Sequence, residues 1–85
     1  MKYFLIIQGN NSPEFLERIL RICRHRGFTV QNLNAETTQN EESLHITITV
    51  CSERPINLLT KQLEKTFGVS QVVILTQNIK IQASA

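Results

Sequence analysis

Cysteine is scarce, and what there is does not fit a metal site or a disulfide framework. Cys23 and Cys51 are the only two in 85 residues, 28 positions apart and with no third ligand at metal spacing. They are expected to be small buried thiols in a reducing compartment. No apolar run approaches the roughly 20 residues that a membrane helix needs. The start, MKYFLIIQGNN, has a single lysine and a five-residue apolar run. That is too short for a secretory h-region and has no small-residue cleavage site, so it is expected to be a strand of a cytoplasmic protein. Charge of one sign is also lacking. Nine Lys and Arg against seven Asp and Glu leave +2, too little by itself to imply nucleic acid. Glycine-rich phosphate loops of the GxGxxG or P-loop kind are absent. The three glycines and two prolines are few enough that each punctuates an element.

What is present is organised around residues 8–33, QGNNSPEFLERILRICRHRGFTVQNL. Asn10, Asn11 and Ser12 form a polar approach, and any of them can cap a helix by accepting a backbone N–H bond. Pro13 suits the first helical position, where its missing N–H costs nothing. Phe15, Leu16, Ile19, Leu20, Ile22 and Cys23 recur at a period near 3.6, which predicts a helix over 13–26. Glu14 and Glu17 at its start and Arg24 and Arg26 at its end complement the helix dipole. Gly27 stops it.

The rest of the chain follows in order. Residues 2–8 form a strand apolar on both faces, suited to the middle of a sheet and to cover on both sides. Residues 28–35 start with Phe28 and Val30 alternating with Thr29 and Gln31, then turn polar at Asn32 and Asn34, which suits a sheet edge. TTQNEES, 37–43, is a loop. Leu44, Ile46, Ile48 and Val50 alternate with His45, Thr47 and Thr49, the cleanest strand pattern here. Pro55 opens a second helix with a stripe of Ile56, Leu59 and Leu63, flanked by Leu58 and Phe67, and Gly68 closes it. Residues 69–76, VSQVVILT, form a buried strand, and Ile79 and Ile81 mark a short extension over 77–85. Strand–helix–strand twice gives βαββαβ. The expected fold is therefore α+β and ferredoxin-like: one domain over 1–85, with a core of about 2–76. Its four-stranded antiparallel sheet has strands one and three central and both helices on one face.

Candidate chemistry is thin. His25 lies among arginines on the polar helix face and His45 on the outward face of the third strand, neither beside a nucleophile or carboxylate by spacing. A metal carrier on this fold needs paired cysteines near the first loop, and an acyl-phosphate hydrolase needs an arginine there; GNNSP has neither. The stripe Arg18, Arg21, Arg24 and His25 suits a protein interface or a solvated face. Base stacking would require aromatics on the sheet, and the third strand shows His45, Thr47 and Thr49 instead.

The order βαββαβ, Asn11 in the first loop, and the run LERILRICRHRGFTVQNL together resemble an ACT domain, specifically the small regulatory subunits of acetolactate synthase of the short isozyme II type. LEKTFGVSQVVIL is similar to that family's second helix and last strand, so the resemblance covers nearly the whole chain. It implies a non-catalytic subunit that binds and activates a large catalytic subunit in valine, leucine and isoleucine synthesis. Thiamine diphosphate, magnesium and FAD would belong to that large subunit and not to this chain. The resemblance also implies a homodimer joined through the second strand, at Phe28, Val30, Asn32 and Asn34. An effector site would lie between the first loop of one chain and the second strand of the other, at Asn10, Asn11, Ser12, Pro13, Glu14, Thr29 and Val30. Valine-sensitive members carry Gly at the position of Glu14 and Asn at that of Thr29, so the site is expected to be degenerate and the subunit valine-insensitive. Arg18, Arg21, Arg24 and His25 are the candidate contact with the large subunit, with no membrane or nucleic-acid partner. A free-standing ACT domain serving another enzyme, and a small nucleic-acid binder using the arginine stripe, are the alternatives.

Overall fold

The structure is a computed structural model and describes residues 1–38 and 40–75. The elements run β1 (Lys2–Asn10), α1 (Phe15–His25), β2 (Thr29–Thr37), β3 (Ser43–Cys51), α2 (Asn57–Glu64) and β4 (Val69–Leu75). All pairings are antiparallel and the sheet order is β2-β3-β1-β4. The βαββαβ order and the central β1 and β3 are as the sequence predicts. Leu5 and Ile7 of β1, and Leu44, Ile46, Ile48 and Val50 of β3, point into the helix layer and are buried. There they meet Phe15, Ile19 and Cys23 from α1 and Leu59 and Leu63 from α2. Each such aliphatic side chain contributes about 1.5–3 kcal/mol relative to exposure. Among the described residues, no helix is long and apolar enough to cross a membrane.

The first helix stops just before Gly27 as expected, whereas α2 ends at Glu64, four residues short of Gly68. Gly27 adopts φ +83° and Gly68 φ +96°, open to glycine without a Cβ clash. Past the first, Gly27 N–H bonds the Arg24 carbonyl at 3.1 Å and Phe28 N–H the Cys23 carbonyl at 2.8 Å, satisfying two carbonyls of α1's last turn.

Several expectations need correction. The first helix begins at Phe15, two residues after Pro13, and no side chain caps it. Both helices lie on one side of the sheet, so the other face of β1, with Phe4 and Ile6, is half-buried and not covered as expected. β2 has a bulge at Gln31: Val30 opposes Val50 and Asn32 opposes Thr49, leaving Gln31 without a partner. The extra residue reverses the alternation, so Val30, Leu33 and Ala35 face the core while Asn32 and Asn34 face away from the helices. Phe28 is not part of the edge. It precedes β2, is 3% exposed, and its ring lies 6.3 Å from that of Tyr3. β4 is an edge strand and not a buried one, with Val73 36% and Ile74 45% exposed. Thr76 and the extension over 77–85 lie outside the described residues.

Candidate functional site

The first loop is held by hydrogen bonds to two neighbouring loops. Asn10 N–H donates to the Gly68 carbonyl at 2.9 Å and Asn11 N–H to the Glu42 carbonyl at 3.2 Å. The Asn11 side-chain amide donates to the Glu41 carbonyl at 3.0 Å, so Asn11 ties the first loop to the β2–β3 loop and does not cap α1. Underneath, Gly9 is a site of close approach. A Cβ there would lie 2.3 Å from the Gly68 carbonyl oxygen and 2.4 Å from Phe15 Cζ. The loop therefore rests on the Phe15 ring through a contact that only glycine permits.

Glu14 sits at the positive end of α1, where backbone N–H groups lack partners within the helix. Its carboxyl is held below the ordinary carboxylate range, first by the Glu14 backbone N–H, then by a hydrogen bond from Ser12, with Arg18 adding attraction. The side chain is fully exposed to solvent. The end of the helix that would receive an anion thus already has one.

Within one chain the loop and the start of β2 are far apart. Asn10 is level with Ser43, whereas Thr29 is level with Cys51 at the other end of the sheet. Eight residues of strand separate the two levels, roughly 26 Å. Asn10, Asn11, Ser12, Pro13 and Glu14 therefore cluster at one end and Thr29 and Val30 at the other. Register also places Thr29 beside Cys51 on the face away from the helices, and Val30 on the helix face.

The arginine stripe divides in three. Arg18 reaches the α2–β4 loop, where its Nη1 donates to the Phe67 carbonyl at 3.3 Å. Arg21 and His25 line a cleft between the helices with Ile22, Arg26 and Gln62. Arg24 lies on the opposite flank with Leu20, toward the beginning of β2. Arg26, read from the sequence only as dipole compensation, is part of the interhelical cleft: its Nη2 donates to Gln62 Oε1 at 2.6 Å. Its spacing of four from Ile22 could have suggested this; the partner 36 residues away could not. Phe67, taken as a flank of the second helix, is 81% exposed in the α2–β4 loop. Cys23 is buried and its thiol is pushed up to about 11 by that burial, while Cys51 is half-exposed at the end of β3.

Comparison with known proteins gives this geometry its family. Residues 11–72 match the model of the ACT domain. The chain is 38% identical over 74 residues to the acetolactate synthase isozyme 2 small subunit of Escherichia coli K12, covering 87% of this chain and 85% of that one. This chain is an ACT domain of the acetolactate synthase small-subunit family. Among solved structures, the acetolactate synthase small subunit of Thermotoga maritima superposes with a TM-score of 0.76 at 17% identity, over 89% of this chain and 48% of that one. The ACT domain of GTP pyrophosphokinase from Chlorobium tepidum gives 0.74 at 13% identity, over 88% and 97%. At such identities the two structures speak for the ACT fold alone, with its helices on one side of a sheet ordered β2-β3-β1-β4. Relatives that are small subunits accord with a regulatory role for this ACT domain.

Proposed function

We propose that this chain binds the large catalytic subunit of acetolactate synthase and raises its activity, without responding to valine. The observation that carries the reading is the 38% identity to a small subunit of that enzyme over most of both chains. Thiamine diphosphate, magnesium and FAD belong, on this reading, to the catalytic partner. Arg21 and His25, with Arg26 beside them, supply an exposed cationic surface for that partner, because arginine's planar fork suits carboxylates and carbonyls at interfaces.

The active form is a two-fold dimer joined through β2. Among the described residues that strand has a neighbour on one side only, which leaves its other row of N–H and C=O groups for pairing. Antiparallel pairing about a two-fold axis satisfies both copies at once. It also sets the partner's Thr29 and Val30 toward the first loop, closing the separation found within one chain. In the dimer the family's effector position is thus assembled, and Glu14 blocks it. An amino acid's carboxylate arriving at the start of α1 meets the Glu14 carboxylate, already bonded to Ser12.

The test is to mix the purified chain with the isolated large subunit and titrate valine, leucine and isoleucine into the complex. A stable complex whose activity is unchanged at millimolar valine is expected, with Glu14→Gly plus Thr29→Asn producing measurable valine binding. Inhibition at micromolar valine would overturn the insensitivity, and absence of any complex would overturn the function.

A further inference from the structure

We propose that the cleft between α1 and α2 is a seat for one carboxylate side chain of the catalytic subunit, and that Gln62 positions Arg26 to receive it. The inference rests on the function proposed above and names what that partner must present. The cleft holds about 350 Å³ and is lined by Arg21, Ile22, His25, Arg26 and Gln62. Three of these five side chains are basic and none is acidic. Arg21, His25 and Arg26 are exposed and Ile22 is half-buried, so a basic rim surrounds an apolar floor. Arg21 shares a second cleft with Glu17, one helical turn earlier, which offsets part of its charge. That leaves Arg26 as the principal donor.

The seat is formed before any partner arrives. Arg26 ends α1 with its N–H on the Ile22 carbonyl at 3.0 Å, and its Nη2 donates to Gln62 Oε1 at 2.6 Å. A guanidinium carries several N–H donors in one plane, so this bond fixes the plane and leaves others for a second acceptor. It also fixes the amide. Arginine accepts nothing, so the Gln62 oxygen lies on Arg26 and its NH2 is turned elsewhere. Gln62 is itself held, because its carbonyl accepts the Thr66 hydroxyl at 2.8 Å just past α2. The Arg26 fork and the Gln62 amide are then neighbouring donors that one carboxylate can bridge. The negative end of the α1 dipole opposes an anion here, but its roughly half charge is outweighed by the full charges of Arg21 and Arg26. The same geometry chooses the occupant. An exposed arginine–carboxylate pair in water gains about fivefold in affinity or less, so a free anion would be held weakly. A carboxylate on a protein surface brings apolar atoms down onto Ile22, excludes water and strengthens both bonds. The cleft lies between the helices and away from β2, so pairing through β2 leaves it open to the catalytic subunit.

The test measures the affinity of the full chain for the isolated large subunit, alongside the melting temperature of each variant. Gln62→Glu separates a seat from a mere brace between the helices. A brace would gain from a carboxylate beside Arg26, whereas a seat is filled from within. Affinity should therefore fall by about tenfold or more at an unchanged or raised melting temperature. Gln62→Leu leaves Arg26 unheld and should weaken binding by about fivefold. Arg26→Lys keeps the charge but loses the fork, so it should bind less tightly than the parent. With a carbodiimide added, that variant should gain an amide cross-link to an Asp or Glu of the large subunit that the parent chain does not form. If the parent binds and Gln62→Glu binds as tightly, or Arg26→Lys gains no cross-link, the seat falls while the function stands. Phosphate or acetate bound at micromolar concentration by the chain alone would overturn the occupant and make the cleft a site for a free anion. If the parent forms no complex with the large subunit, the function falls and the seat with it.

Discussion

The two strand–helix–strand halves of this ACT domain share one local recipe and differ in what they display. Each helix follows a proline and stops before a glycine at positive φ. Each buries three residues: Phe15, Ile19 and Cys23 in α1, and Leu59, Thr60 and Leu63 in α2. Outward, α1 carries arginines in three directions, whereas α2 carries Lys61, Gln62 and Glu64. Among the described residues, Asn10, Arg18 and Arg26 donate hydrogen bonds to Gly68, Phe67 and Gln62 of the second half. The first half thus presents the surfaces, and the second half holds them in position.

This contrast can be broken by substitution. The largest effect is expected at Phe15, where both halves meet: Phe15→Ala should cost about 3–5 kcal/mol in denaturant unfolding. Gly9→Ala should follow at about 1–3 kcal/mol, because the new methyl meets a backbone carbonyl that cannot easily move. A third comparison separates display from support. Arg21→Glu with His25→Glu should lower affinity for the catalytic subunit about tenfold at unchanged melting temperature, while Lys61→Glu with Lys65→Glu on α2 should change neither.

Smaller effects follow from the ionisable groups. Cys23 keeps its proton in the fold to about pH 11, so the folded form holds it more tightly than the unfolded chain. Its contribution is therefore complete below the ordinary thiol pKa of about 8.5 and declines as pH rises from there toward 11. Thiol labelling at neutral pH should modify Cys51 and spare Cys23 until the chain unfolds. Glu14 has the opposite sign. Its carboxyl is lowered in the fold, so its stabilisation is present above the ordinary carboxylate pKa and is lost as acid carries the pH through the folded value. Being fully exposed, it should show the smallest change of the set, seen by comparing the parent with Glu14→Gln across acid titration.

Where local chemistry decides the structure, the sequence is a sufficient guide. The alternation from Leu44 to Val50 names β3 and its buried face, and Gly27 marks the end of α1, whereas Gly68 lies in the turn that follows α2. Asn32 and Asn34 mark an edge. Features that depend on pairing are not legible in this way. The bulge at Gln31 and the extra residue at Ser70, whose hydroxyl donates to the Gln8 carbonyl at 3.0 Å, arise from register between strands distant in sequence. β4 looks buried because VSQVVIL is apolar in both phases, yet its place at the edge leaves Val73 and Ile74 open. The candidate site residues could be named from the sequence but not placed, since the first loop and Thr29 lie at opposite ends of the sheet. The arginine stripe looks continuous on a helical projection, and only the neighbours of α1 divide it.

The most direct measurement is the rate of acetolactate formation by the isolated large subunit as this chain is added. The account predicts a saturable rise that ends at a fixed stoichiometry and persists in millimolar valine. A rate that stays flat at saturating chain, with both proteins folded, would contradict it.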